Sequence, residues 1–184
     1  MRVLLFILFS ASWLSAADVV VLKAARMFDA KSGTVITPGL VVVSGNRILA
    51  VGPGAAVPAG AQVIDLGDAT LLPGFMDAHT HLTFEAGEDY ERDELRGLKR
   101  TIPEIALMAV EYARKTLMGG FTTVRDLGSS EYVDVGLRNS IRSGRIAGPR
   151  MLVAVHAIGA TGGHCDNVGF RPGLFGKEIG RAHV

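Results

Sequence analysis

The stretch Pro73-Gly74-Phe75-Met76-Asp77-Ala78-His79-Thr80-His81-Leu82 decides how the rest of the chain is interpreted. An apolar run, residues 69–75, leads directly into a His-x-His pair. In a β-strand successive side chains point to opposite faces, so His79 and His81 share one face, and Asp77 shares it too. Two imidazoles at this spacing can hold one divalent metal through bonds of about 2.0–2.1 Å. The stretch therefore predicts a strand that ends in two metal ligands. Asp77 is expected either to orient an imidazole or to make local backbone bonds.

The segments around this stretch predict two kinds of structure. Residues 18–70 are β-rich and include a hairpin, residues 39–51, with Gly45-Asn46 in its turn. The polar residues 85–100 predict a solvated loop and the start of a helix rather than a cluster of ligands. A further helix is predicted to open at Pro103 and to end at Gly119-Gly120.

The remainder of the chain alternates between strands and helices. Residues 121–126 are rich in β-branched side chains and predict a second strand. Residues 134–146 predict a helix that Gly148-Pro149 stops, and residues 151–155 predict a third strand. Strands that alternate with helices are typical of a parallel α/β fold.

The opening motif resembles the first-strand signature of the amidohydrolase superfamily of metal-dependent hydrolases. In that family the two histidines end the first strand of a (β/α)8 barrel and bind the more buried metal. The resemblance implies an α/β fold: an incomplete (β/α)8 TIM barrel over residues 71–177, preceded by part of a small β-sandwich over residues 18–70. It also implies that His79 and His81 are metal ligands. A complete barrel of this kind usually needs about 250 residues, more than the 184 residues of this chain.

Three further segments look closest to one branch of this family, which contains imidazolonepropionase-like enzymes and Xaa-Pro or Xaa-Arg/Lys dipeptidases. They are residues 121–128, 148–151 and 161–166. The implied activity is hydrolysis of an amide or peptide C–N bond in a dipeptide or other small molecule. One or two divalent ions, usually zinc, would polarise the carbonyl and lower the pKa of water toward ~7. Cyclic-amide hydrolysis, of the imidazolone, hydantoin or dihydroorotate type, is the alternative.

The family's remaining functional residues have no assigned position in this sequence. They are a carboxylated lysine, two more histidines and a late aspartate, so the catalytic residues are expected beyond the C-terminus. Lys177 follows the third strand too closely to be given the role of that lysine. The resemblance gives His164 a place beside the substrate, and an ordinary loop histidine is the alternative.

Other polar residues near the predicted strand ends have simpler interpretations. His156 is expected to be a packed or hydrogen-bonded structural residue. Cys165 has no identified base, so a nucleophilic role is not expected. Arg125 and Asp126 stand where a catalytic residue could be, but an internal ion pair or an anchor for a loop explains them equally well.

Composition and the two ends of the chain limit its partners and location. A formal net charge of +1 gives no electrostatic case for nucleic acid, and the lone cysteine excludes an intrachain disulfide.

Residues 1–17 predict a signal peptide cleaved after Ala17, hence a periplasmic or secreted protein. Their apolar run is too short for a membrane anchor, which needs about 20 residues. Residues 178–184 resemble translated sequencing adapter, a genuine basic tail being the alternative. The sequence does not indicate an oligomeric state.

The barrel interpretation predicts that the isolated chain is inactive and poorly folded, because three parallel strands cannot close a barrel and leave an unpaired edge. A non-catalytic exported binding domain would instead be stable and monodisperse without metal. Circular dichroism and thermal melts with and without chelator distinguish the two. Hydrolase activity of the purified chain that is lost in His79→Ala would contradict the expected inactivity.

Overall fold

The computed structural model describes residues 19–160 together with Gly163 and Cys165. These residues form two compact units that divide between Pro73 and Gly74. The predicted signal peptide, His164, Lys177 and residues 178–184 lie outside the described part of the chain. The division of the chain into a partial sandwich, a partial barrel and a foreign tail stays a prediction.

The first unit consists of two small β-sheets. Its strands are β1 Val19–Ala24, β2 Arg26–Asp29, β3 Thr34–Ile36, β4 Gly39–Ser44, β5 Arg47–Val51, β6 Gln62–Asp65 and β7 Thr70–Leu71. One sheet has the order β5-β4-β1-β6 and the other the order β3-β2-β7. In the larger sheet β1 is antiparallel to β4 and parallel to β6. The buried apolar side chains of the unit are Val21, Ala24, Met27 and Val42.

The predicted hairpin is confirmed as β4 and β5. Its turn contains Gly45, whose φ of 56° lies in the left-handed region that glycine adopts without steric cost. Val21 and Val42 are register partners in β1 and β4, and both are almost fully buried. This buried pair places one face of the sheet in the core of the unit.

The apolar run of residues 69–75 does not form one continuous strand. The run is divided between β7, which pairs with β2, and β8 Phe75–Thr80, which belongs to the second unit. Proline lacks the N–H that a strand interior donates, so Pro73 interrupts the ladder. Gly74 lies so close to Thr122 that an added Cβ would be 2.7 Å from the Cβ of that residue. The strand that carries the histidines thus begins at Phe75 rather than near Leu71.

The second unit is a parallel three-stranded sheet with helices between its strands. Its remaining elements are α1 Tyr90–Lys99, α2 Ile102–Met118, β9 Phe121–Asp126, α3 Val133–Arg142 and β10 Arg150–Val153. The strand order is β10-β9-β8, and both pairings are parallel. A single apolar cluster joins the central strand to α2, α3 and β10: Leu82, Ala109, Ala113, Val124, Val133, Leu137 and Met151. The predicted mixed α/β class is confirmed.

Helix α2 starts as the sequence predicts. The N–H and hydroxyl of Thr101 both donate to the Glu104 carboxylate at 2.7 Å, and Pro103 lies in the first turn. This capping arrangement satisfies donors that a helix start leaves free, and it lowers the pKa of Glu104. The helix ends at Met118, directly before Gly119.

Three other boundaries differ from the prediction. Residues 90–99 of the polar stretch form the complete helix α1, and its N-cap residue Asp89 accepts a hydrogen bond from the N–H of Arg92 at 3.0 Å. Helix α3 ends at Arg142 rather than Ile146, since Gly144 takes a φ of 73°. Strand β10 ends at Val153, because Val155 has a φ of 68° that no strand allows. No helix in the described residues is long and apolar enough to span a bilayer.

The close approach at Gly39 in β4 leads to a stability prediction. An added Cβ there would lie 2.6 Å from the carbonyl carbon of Arg26 and 3.0 Å from the nitrogen of Met27. Because these are backbone atoms, they cannot move aside as a flexible side chain would. We expect Gly39→Ala to lower the free energy of unfolding by about 1–3 kcal/mol.

The matched control for this substitution is Gly54→Ala, because an added Cβ at Gly54 has no heavy atom within 4 Å. It should change stability by less than about 0.5 kcal/mol. Urea unfolding of both variants followed by circular dichroism provides the comparison. Equal midpoints for the two variants would show that the β2–β4 approach does not constrain this unit.

Candidate metal centre

The two histidines lie side by side at the carboxyl end of β8. His79 is the penultimate residue of the strand and His81 follows its last residue. Their ring centroids are 5.4 Å apart, with an angle of 67° between the ring planes. His79 is exposed, whereas His81 is half-buried. The predicted proximity of the two imidazoles is confirmed.

A hydrogen bond fixes the orientation of the His81 ring. Its Nδ1 lies 3.1 Å from the carbonyl oxygen of Gly128, in the loop after β9. A carbonyl oxygen can only accept, so Nδ1 carries the proton and Nε2 keeps its lone pair in the neutral ring. The ring of Phe84 packs against the same imidazole with a centroid separation of 5.2 Å. His81 is therefore prepared to offer Nε2 to a ligand.

This arrangement fits a divalent metal as far as the described residues extend. Histidines that bind metals usually donate their other ring N–H to a carbonyl or carboxylate, as His81 does. Zinc sites take at least three protein ligands. Among residues 19–160, Gly163 and Cys165, no group of three or more His, Cys, Asp or Glu side chains is arranged to hold an ion. The pair thus fits part of a metal site.

A β-bulge next to the histidines disturbs the alternation on which the placement of Asp77 rested. Asp77 pairs with Val124 and Thr80 with Asp126, so β8 contains one residue more than β9 over this interval. The face of Asp77 therefore cannot be read from its spacing to His79. Its Oδ1 accepts a hydrogen bond from the N–H of His79 at 2.9 Å. Of the two roles expected for Asp77, the structure shows the local backbone bond.

Asp126, at the end of β9, is completely buried. Its Oδ2 accepts a hydrogen bond of 2.6 Å from the N–H of Leu82, and its Oδ1 accepts a longer one, 3.4 Å, from the N–H of Gly128. Burial raises the pKa of the Asp126 carboxyl, and these two N–H groups oppose the shift. Arg125 donates from Nε to the carbonyl of Ala78 at 2.7 Å. The two residues are therefore anchors between β8 and β9, one of the roles that the sequence left open.

A second buried carboxylate, Asp134, was not singled out in the sequence. It lies in the first turn of α3, and its Oδ2 accepts from the N–H of Val155 at 2.9 Å. The carbonyl of Val155 in turn accepts from the N–H of Ser129 at 2.8 Å. These two bonds hold a β-branched residue in a left-handed conformation that it rarely adopts. The acidic residue early in the predicted helix was the only local signal for this role.

The remaining predicted residues lie apart from the histidine pair or outside the described chain. His156 is half-buried and meets the ring of Tyr132 edge-on at 5.9 Å, as expected for a packed residue. Cys165 is a partly buried free thiol. The substrate role of His164 stays a prediction, and so do the metal roles of His79 and His81.

The fold and the site together define a parallel α/β unit with a histidine pair at the carboxyl edge of its sheet, where enzymes of this architecture carry their chemistry. The model of the Amidohydrolase family matches residues 70–170. This match covers more than half of the chain. The chain belongs to the amidohydrolase family.

Two curated relatives match parts of the chain. Imidazolonepropionase from Arthrobacter sp. (strain FB24) is 44% identical over 62 residues, which are 34% of this chain and 15% of that protein. Allantoinase from Streptomyces avermitilis is 35% identical over 107 residues, or 54% of this chain and 24% of that protein. The chain thus spans less than a quarter of either relative.

Solved structures match a larger share of the chain. A Xaa-Pro dipeptidase with methionine bound in its active site is 32% identical with a TM-score of 0.73, covering 90% of this chain and 41% of that one. A prolidase complexed with N-methylphosphonate-L-proline is 28% identical with a TM-score of 0.68, covering 87% of this chain and 36% of that one. The chain therefore spans less than half of each of these proteins.

Proposed function

We propose that this chain is the N-terminal part of a metal-dependent hydrolase that cleaves amide or peptide C–N bonds in dipeptides. The observation that carries the proposal is the His79–His81 pair, in which the Gly128 carbonyl orients one ring. The similarity to a Xaa-Pro dipeptidase over 90% of the chain supports the choice of a dipeptide.

The proposed architecture follows from the same similarity. Strands β8, β9 and β10 would be the first three strands of a (β/α)8 barrel, and the first unit would be part of a β-sandwich. The other metal ligands and the residue that handles the proton would then come from later strands. His164 would face the substrate, and the N-terminal residues would direct export to the periplasm or the exterior.

The chain's own residues would prepare the site before substrate arrives. His79 and His81 would hold one of one or two divalent ions, with zinc as the expected metal. Such an ion supplies Lewis-acid polarisation of the scissile carbonyl and makes water more acidic. The Gly128 carbonyl keeps His81 in the tautomer that leaves Nε2 free, and the exposed ring of His79 leaves the site open on one side.

A cyclic-amide hydrolase is the second candidate. The match to an allantoinase spans 54% of this chain, and a dihydroorotase from Mycobacterium tuberculosis is 47% identical over 53 residues. Both names belong to proteins in which this chain covers less than a quarter of the length. The loops that follow barrel strands determine substrate choice, and few of those loops are within the described residues.

Metal binding by the full-length protein that contains this chain is the first test. Titration of the chelator-treated protein with Zn²⁺ or Co²⁺ should show the one or two sites proposed. His79→Ala and His81→Ala should each weaken the binding at least about tenfold, because each removes one ligand. Isothermal calorimetry measures the Zn²⁺ affinity, and visible absorption reports the ligands of Co²⁺.

His156→Ala is the matched control for the metal titration, because His156 packs against Tyr132 outside the pair. Its affinity for Zn²⁺ should equal that of the unsubstituted chain. Binding that survives both His79→Ala and His81→Ala would place the ion elsewhere and remove the basis of the proposal.

Substrate class is tested on the full-length protein that contains this chain. We expect hydrolysis of Xaa-Pro dipeptides, with kcat/KM at least about tenfold above that for allantoin or dihydroorotate. Release of free proline is measured against ring opening of the cyclic amides at equal metal loading. A preference for a cyclic amide would favour the second candidate over the first.

A further inference from the structure

Three consecutive residues, the last residue of β9 and the two that follow it, form hydrogen bonds with His81 and with both peptide groups beside it. The N–H of Leu127 donates to the carbonyl of Thr80, before His81, at 3.0 Å. The N–H of Leu82, after His81, donates to Asp126 at 2.6 Å. The ring itself donates to the carbonyl of Gly128 at 3.1 Å. Both peptide groups that flank His81 and its imidazole are thus fixed by residues 126–128.

We infer that Asp126 is a positioning residue for His81. Its carboxylate is the one side chain in this set, and it contacts both segments that determine where the imidazole lies. One oxygen holds the peptide after His81, and the other accepts from the N–H of Gly128, whose carbonyl orients the ring. Asp126 therefore couples the backbone that follows β8 to the acceptor of the His81 proton. Only the expected effect of Asp126 on metal affinity rests on the proposed metal role of His81.

The chemistry of this position explains why a carboxylate is needed. Asp126 is fully buried, so each N–H that loses its acceptor would remain unpaired away from water. A carboxylate offers acceptors at both oxygens, whereas asparagine offers one acceptor and one NH₂ group. With its oxygen toward Leu82, asparagine keeps the shorter bond and turns a donor toward the N–H of Gly128. Asp126→Asn should therefore retain part of the arrangement, and Asp126→Ala should retain none.

The test reads the tautomer of His81 directly and needs no metal. The full-length protein that contains this chain is labelled with ¹⁵N-histidine, treated with chelator and studied by long-range ¹⁵N–¹H correlation at a pH where imidazole is neutral. The His81 signal is assigned by its loss in His81→Gln. In the unsubstituted chain we expect the proton on Nδ1. In Asp126→Ala the population should move toward the Nε2–H tautomer, and Asp126→Asn should lie between the two.

Asp134→Ala is the matched control. Asp134 is also completely buried and also accepts from a loop N–H, that of Val155, but none of its hydrogen bonds involves residues 126–128. It should perturb stability while leaving the His81 signal as in the unsubstituted chain. If Asp126→Ala fails to fold by circular dichroism, Asp126→Asn decides the comparison. An unchanged tautomer in the folded Asp126 variants, or an equal change in Asp134→Ala, overturns the inference.

Metal affinity separates this inference from the proposed function. Loss of a group that orients a metal ligand typically weakens binding by about 10–100-fold, and we expect a Zn²⁺ affinity loss of this size in Asp126→Ala only. A tautomer change in a chain that binds no Zn²⁺ would support the positioning role and contradict the metal site. Zn²⁺ binding that depends on His79 and His81 but not on Asp126 would support the metal site and contradict the positioning role.

Discussion

A buried carboxylate, that of Asp126, holds together the end of the sheet where the two histidines lie. Removing a carboxylate from water is costly unless hydrogen bonds replace its hydration, and here two backbone N–H groups do so. The shorter bond reaches Leu82, which is also part of the apolar cluster beneath the sheet. The packing of the core and the position of His81 therefore depend on the same contact.

The structure uses this arrangement a second time. Loops that leave the carboxyl ends of parallel strands carry backbone donors that no neighbouring strand can accept, and buried groups must satisfy them. Asp134 does this for Val155 after β10, as Asp126 does for Leu82 after β8. The two acceptors flank the connection between β9 and α3, since Asp126 ends β9 and Asp134 lies in the first turn of α3. Each carboxylate therefore ties this connection to the loop after a neighbouring strand. The left-handed conformation of Val155 persists because both of its backbone polar groups are engaged.

The features that sequence predicted are those whose cause is local. The turn at Gly45, the start of α2 near Pro103 and the spacing of His79 and His81 each depend on residues that are close together in the sequence. The features it missed depend on pairing across the fold. Register with β9 creates the bulge after Asp77, and the partner of Asp126 is separated from it by 44 residues. The break of residues 69–75 into β7 and β8 belongs to neither group. Pro73-Gly74 is a local signal for it, but the apolar residues on both sides make the run look continuous.

Within the described residues, the sheet of the second unit has exposed apolar side chains at its edges and too few ligands for a metal. Strands β8 and β10 are its edges and carry exposed apolar side chains, with Met76 at 78% and Leu152 at 58% of full exposure. A parallel sheet is normally covered on both faces, so these side chains would need further chain against them. A metal at His79 and His81 likewise needs at least one more ligand. In the proposed barrel the added strands would cover these side chains. They would also bring their own carboxyl ends to the edge where the histidines lie. Closure of the sheet would therefore complete the metal site as well.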